Sequence, residues 1–152
     1  QGTLFEGTVL ENITMGRKGI PFENVKWAVH HLKLKGFIRN LPTGYDTLVE
    51  PQGYKSSRSI ITKLLIARSI VSKPNLLLME DILDNLDRQE RIEIMDFLTS
   101  PEQDWTLIAV SSEAHFAKRC DRIAIVSKGR ITKTGTYEEL KLTEEFKNEE
   151  DA

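Results

Sequence analysis

Apolar residues recur at helical spacing through Phe22, Val25, Ala28, Val29 and Leu32, directly after Pro21, a residue suited to the first turn of a helix. This spacing predicts a helix over about 22–33. A second helical pattern runs through Ile60, Ile61, Leu64, Leu65, Ala67, Ile70 and Val71, with Ser56 and Ser57 as candidate N-caps, and should end near Ser72 ahead of Pro74. Asn75 to Met79 is then a continuous apolar run too short for a helix, which reads as a buried strand. Asp87 can cap a third helix, whose apolar positions Ile92, Met95 and Leu98 repeat until Ser100-Pro101 breaks the pattern. Another buried strand over Thr106 to Ser111, a short helix over Ala114 to Arg119, and strands over Arg122 to Val126 and Arg130 to Thr134 follow, the last two joined by a tight turn at Lys128-Gly129. Before residue 73 only Thr8 to Leu10 reads as a strand. The pattern therefore predicts an α/β chain: a helical subdomain over about 8–72, then over 73–142 a mainly parallel sheet with flanking helices.

Composition narrows the class. The chain has 152 residues, long enough to bury a core, with 39% hydrophobic and 29% charged residues, which excludes collagen-like and low-complexity chains. Twenty-one basic against 23 acidic residues leave a charge of -2, so there is no electrostatic footprint for nucleic acid and none is expected as a partner. The single Cys120 cannot form an internal disulfide, and a reducing setting is the default. Apolar runs such as Leu76 to Met79 and Ile123 to Val126 fall far short of the roughly 18–20 residues that span a bilayer. Residues 143–152 carry Glu144, Glu145, Glu149, Glu150 and Asp151 and read as a solvated acidic tail. The opening Gln1-Gly2-Thr3 has no initiator Met, as expected of a piece of a longer protein.

The sharpest candidate for chemistry is Leu76-Leu77-Leu78-Met79-Glu80-Asp81, followed by Asp84 and Asp87. Carboxylates at the carboxyl end of a buried strand lie where open α/β sheets place their ligands, and they can hold magnesium or polarise a water. The alternative is an acidic strand-to-helix turn in which Asp84 and Asp87 complement the next helix. His30 and His31 are expected to be surface residues of the helical subdomain.

Over about residues 4–142 the ordered series Leu4-Phe5-Glu6-Gly7-Thr8-Val9-Leu10-Glu11-Asn12-Ile13, Phe37 to Thr47, Ala67-Arg68-Ser69-Ile70, Pro74 to Asp81, Asp84 to Asp87 and Gly135 to Leu140 resembles the nucleotide-binding domain of ATP-binding cassette (ABC) transporters of the exporter type. Leu4-Phe5-Glu6-Gly7-Thr8-Val9-Leu10-Glu11-Asn12-Ile13 is similar to the family's segment after its glutamine loop. Phe37 to Thr47 resembles the run ahead of the signature motif, and Ala67-Arg68-Ser69-Ile70 the end of the signature helix. Pro74 to Asp81 falls at the Walker B strand, Asp84 to Asp87 at the D-loop, and Lys128 to Ile131 with Gly135 to Leu140 at the closing segment.

The resemblance implies a P-loop NTPase-like fold, present in part over residues 1–142, that binds ATP and Mg2+ between two facing domains and couples hydrolysis to movement of membrane helices. It implies as partners a second nucleotide-binding domain, as a homo- or heterodimer, and an exporter's transmembrane domain. The implied location is the cytoplasmic face of the cell membrane, with these residues themselves soluble. The family's Walker A loop lies upstream of the glutamine loop, and no G-x-x-x-x-G-K-S/T run occurs in these residues.

Carried over residue by residue, the signature maps onto Ser56-Ser57-Arg58-Ser59-Ile60, where only Ser57 matches and Arg58 and Ser59 replace two glycines. Ser57, Arg58, Ser59, Asp87 and Gln1 are the implied nucleotide-binding residues. Glu80, Asp81 and Ser112 are the implied catalytic positions, with Glu80 in the magnesium shell. The Walker B order is inverted, Glu80 preceding Asp81, and Ser112 stands at the switch histidine. Exporters usually have Gly-Glu-x-Gly where this chain has Glu50-Pro51-Gln52-Gly53. These departures imply weak or absent hydrolysis. Two other readings stay open: a non-catalytic dimerisation or docking module that retains the ABC fold, and a magnesium-dependent hydrolase built on Glu80, Asp81 and Asp84.

Overall fold

The computed structural model describes residues 3–49, 57–80, 82–111, 114–143 and 146. The chain divides into two compact units, Gln1–Ile108 and Ala109–Ala152.

In the first unit, β1 (Gly7–Thr8) runs straight into α1 (Val9–Thr14). The strand expected over Thr8 to Leu10 is therefore corrected. Thr8 has extended backbone, but its hydroxyl accepts from Glu11 N and starts a helix, so Leu10 is helical. Next come α2 (Phe22–His31), α3 (Lys35–Arg39) and β2 (Leu48–Val49), which pairs antiparallel with β1. The long α4 (Arg58–Ile70) packs against both α1 and α2. β3 (Leu76–Glu80), a short 3-10 turn over Ile82–Asn85 and α5 (Arg88–Leu98) follow, and β4 (Thr106–Val110) begins in this unit and ends in the second.

Val9, Ile13, Val25, Val29, Leu64, Ala67, Ile70, Leu77, Ile94, Met95 and Leu98 are all buried in this unit. Their helical spacing explains why α2, α4 and α5 form: each has one apolar face to bury. Asn12 is the fully buried polar residue that fixes the start. It accepts from Phe5 N (3.0 Å) and from Arg68 Nη2 (2.9 Å), and it donates to the carbonyls of Phe5 and Thr8. Trp27, His31, Phe97 and Trp105 form an aromatic cluster, with the His31 ring stacked on Phe97 at 4.4 Å. Partial burial, helped by His30, lowers the His31 pKa against the opposing pull of Glu102.

The second unit contains α6 (Ala114–Ala117), β5 (Ile123–Ser127), β6 (Arg130–Gly135) and α7 (Tyr137–Leu140). Lys128 (φ 50°) and Gly129 (φ 73°) both take positive φ, the requirement of the tight turn that joins β5 to β6. Ile125, Leu140 and Phe146 make its small core. Phe146 thus corrects the reading of 143–152 as wholly solvated.

The sheet also departs from expectation. The described strands form three two-stranded ladders, β1–β2, β3–β4 and β5–β6, where one mainly parallel sheet was expected. Two of these ladders are antiparallel, as a two-residue connection at 128–129 requires for β5–β6. β3 and β4 were both expected to be buried strands, and this is corrected: the strands alternate, with Leu77 buried while Leu76, Leu78, Ile108 and Val110 are exposed.

Candidate functional site

Ser57 and Asp87 are each N-caps. Ser57 Oγ accepts from Ile60 N at 3.3 Å and starts the 13-residue α4; Asp87 Oδ1 accepts from Glu90 N at 2.8 Å and starts α5. Capping satisfies amide donors that would otherwise have no intrahelical partner, and it places both side chains at the positive ends of the helix dipoles. Arg58, the first residue of α4, is exposed. A guanidinium beside a helix N-terminus is a natural partner for an anion such as phosphate.

Ser59, the implied nucleotide-binding residue beside Arg58, makes a contact to α5. Its hydroxyl donates to Glu90 Oε2 at 2.8 Å, while Lys63, one turn further along α4, donates to Glu90 Oε1. The Lys63 side chain is almost fully buried, 5% exposed, so this carboxylate is its compensating charge. A second pair, Lys33 with Glu93, lies one turn along α5, and Gln89 donates to the same carboxylate. Those two hydrogen bonds hold the Glu93 carboxyl below its usual range, Lys33 contributing most. The structure therefore brings Ser59 and Asp87 together through Glu90, a residue the sequence did not single out. The one signal was the spacing Asp87-x-x-Glu90, which marks a helix start but not the direction of the glutamate.

Glu80 is the exposed last residue of β3. Among the described residues it makes no hydrogen bond or ion pair with Ser57, Arg58, Ser59 or Asp87. Gln1, Asp81 and Ser112, and with them Glu50 to Ser56, lie outside the described residues. No group of three or more His, Cys, Asp or Glu side chains forms a metal-holding cluster among the described residues. Nor is any described helix long and apolar enough to cross a membrane.

No protein-family model matches the chain. It is 34% identical over 137 residues to a Staphylococcus aureus ATP-binding/permease protein named for multidrug export, a match covering 90% of this chain and 24% of that protein. It is 28% identical over 137 residues to P-glycoprotein 14 of Caenorhabditis elegans, covering 90% of this chain and 10% of that one. Among solved structures it matches a bacterial Atm1-family ABC exporter with ATP bound, with a TM-score of 0.80 and 29% identity, over 91% of this chain and 24% of the exporter chain. The chain thus spans about a quarter or less of the length of these relatives.

Proposed function

We propose that this chain, a homologue of ABC exporter ATP-binding/permease proteins over 90% of its length, forms part of the ATP-binding domain of such an exporter and is attenuated in hydrolysis. The observation that carries the reading is the pairing of two capped helix starts, Ser57-Arg58 on α4 and Asp87 on α5, in a chain that matches an exporter solved with ATP. The facing domain would be a second nucleotide-binding domain, and the coupled element a transmembrane domain at the cytoplasmic face of the membrane.

The residues present fit nucleotide and metal. Magnesium takes hard oxygen donors, typically one or two carboxylates plus substrate phosphates, and Glu80 offers an exposed carboxylate at a strand end. When bound, magnesium neutralises charge on the phosphates. On this reading Glu80 and Asp81 hold the ion and orient water, and Ser57 and Arg58 contact a phosphate at the helix start. Ser59 and Asp87 contribute to the nucleotide site from the starts of α4 and α5, and Gln1 contributes from the glutamine-loop side.

Attenuation follows from the residue types. Glu80 and Asp81 exchange the usual order of a short and a longer carboxylate, shifting each by one methylene. Phosphoryl transfer relies on positioning, and a displacement of about 1 Å can cost roughly a hundredfold in rate. Ser112 has neither the reach nor the charge of an imidazole. At the signature, Arg58 and Ser59 place side chains where glycines allow close backbone approach.

The test is magnesium-dependent ATP turnover by the protein expressed from its complete reading frame, beside a variant carrying Ser112→His, Glu80→Asp and Asp81→Glu. We expect turnover near background in the natural protein and at least roughly tenfold faster turnover in the variant, as restored positioning predicts. If neither form binds or hydrolyses ATP, the domain is a docking partner and the catalytic reading fails.

A further inference from the structure

We infer that Glu90 is a positioning residue that locks the first two turns of α4 to the start of α5, so that Ser57-Arg58 and Asp87 move as one body. Among the described residues, three helices carry a cap residue with glutamate three positions on. In α1 and α7 the glutamate turns back to its own cap: Glu11 Oε2 accepts from Thr8 N at 2.7 Å and Glu139 Oε2 from Thr136 N at 2.8 Å, closing a capping box. In α5 the cap hydrogen bond forms in the same way, but Glu90 directs both carboxylate oxygens to α4, one to Ser59 and one to Lys63.

The backbone does not impose this difference. The caps Thr8, Thr136 and Asp87 have nearly the same φ and ψ, near −70° and +164°. Two things differ: the cap itself, an Asp carboxylate at 87 that repels a returning glutamate where Thr8 and Thr136 present neutral hydroxyls, and the residue before the cap. A Cβ at Gly135 would lie 2.8 Å from Glu139 Oε2, and one at Gly7 3.1 Å from Glu11 Oε2, so both boxes are closed over a glycine. Before Asp87 stands Leu86, which is buried, and Glu90 is turned across to the neighbouring helix. A buried Lys63 then holds the carboxylate in place, because withdrawing it would strand a charge. One residue therefore ties the Asp87 cap by its backbone and the α4 start by its side chain.

The linkage concerns structure alone; its consequence for nucleotide rests on the function proposed above. If both segments touch phosphate, loosening Glu90 misplaces two contacts at once. The experiment is peptide-resolved hydrogen exchange on the protein from its complete reading frame, comparing Glu90→Gln with Val29→Ala, a core substitution outside both segments that serves as the control. We expect Glu90→Gln to speed exchange of amides 60–64 and 90–94 together, by about tenfold more than Val29→Ala does, as local opening rather than global loss predicts. Reversing the pair with Lys63→Glu and Glu90→Lys should restore protection in both segments. Opening of one segment alone, or exchange in both no faster than in Val29→Ala, overturns the linkage.

Affinity for magnesium-ATP supplies the second readout, expected to weaken about tenfold in Glu90→Gln and to recover in the reversed pair. Unchanged affinity with both segments loosened overturns the nucleotide consequence. A natural protein that binds no ATP sinks the function reading, and exchange alone then decides the linkage.

Discussion

The starts of α1 and α5 share a cap and a glutamate three residues on, yet one is closed on itself and the other is built into its neighbour. At α1 the Thr8 hydroxyl and the Glu11 carboxylate satisfy each other's backbone amides within four residues, all of it exposed. At α5 the Asp87 cap is equally local, but Glu90 serves Ser59 and Lys63, 31 and 27 residues away. The first arrangement needs only the local chain. The second exists only when α4 and α5 are neighbours, which makes it a contact of the fold and a means of transmitting strain between two candidate phosphate contacts.

The largest effect should come from breaking the second arrangement. Glu90→Ala leaves the nearly buried Lys63 ammonium without its partner, a change expected to cost about 3 kcal/mol, read from the midpoint of urea unfolding. The double change Lys63→Met with Glu90→Leu should return most of that loss, since well-packed apolar residues often replace a buried pair without penalty. A Glu90→Ala loss no greater than that of a surface substitution would show that water reaches Lys63 and that the pair does not hold the helices.

Breaking the first arrangement should cost less. Thr8→Ala removes one cap hydrogen bond and is expected to cost about 1 kcal/mol, without changing protection at α5. Gly135→Ala sharpens the contrast, because the added methyl meets Glu139 Oε2 and opens the α7 box while leaving the Thr136 cap. Its expected cost is about 0.5 kcal/mol, below that of losing a cap. Equal losses in Thr8→Ala and Glu90→Ala would erase the distinction between local and tertiary use of the motif.

The same distinction sets what the sequence made legible. Helices α2, α4 and α5 could be read because each repeats an apolar face over ten or more residues. α1 and α3, six and five residues long, hold too little of a period to register. Thr8 misled because a cap residue has strand-like backbone angles although it opens a helix. Ser57 and Asp87 were legible as caps, a property of the local chain. Glu90 and Lys63 were not, because no local rule says which helix will lie beside α5. The spelling Gly-Thr-x-x-Glu occurs at 7–11 and again at 135–139, and that repeat was a readable sign of two closed boxes. The Leu76, Leu78 and Ile108 face shows the opposite limit: its apolar run predicted a strand correctly, but periodicity cannot say what, if anything, covers it.

The smallest expected effect is the pH dependence of the two closed boxes. The Thr8 amide, then its hydroxyl, holds Glu11 below the ordinary carboxylate range, and Thr136 does the same for Glu139 with help from the charge of Arg122. A carboxyl whose folded pKa is depressed binds fewer protons folded than unfolded, so its stabilisation is full above the unfolded value of about 4.3 and fades as pH falls through the folded value. The acid limb of a stability profile should therefore flatten in Glu11→Gln and in Glu139→Gln. Because Arg122 acts on Glu139 by charge alone, added salt should shrink the Glu139 share more than the Glu11 share. Gly135→Ala, which opens the same box by sterics without removing the carboxyl, should flatten the limb as Glu139→Gln does. An acid limb left unchanged by all three would mean that the two glutamates bond their caps without preferring the charged form.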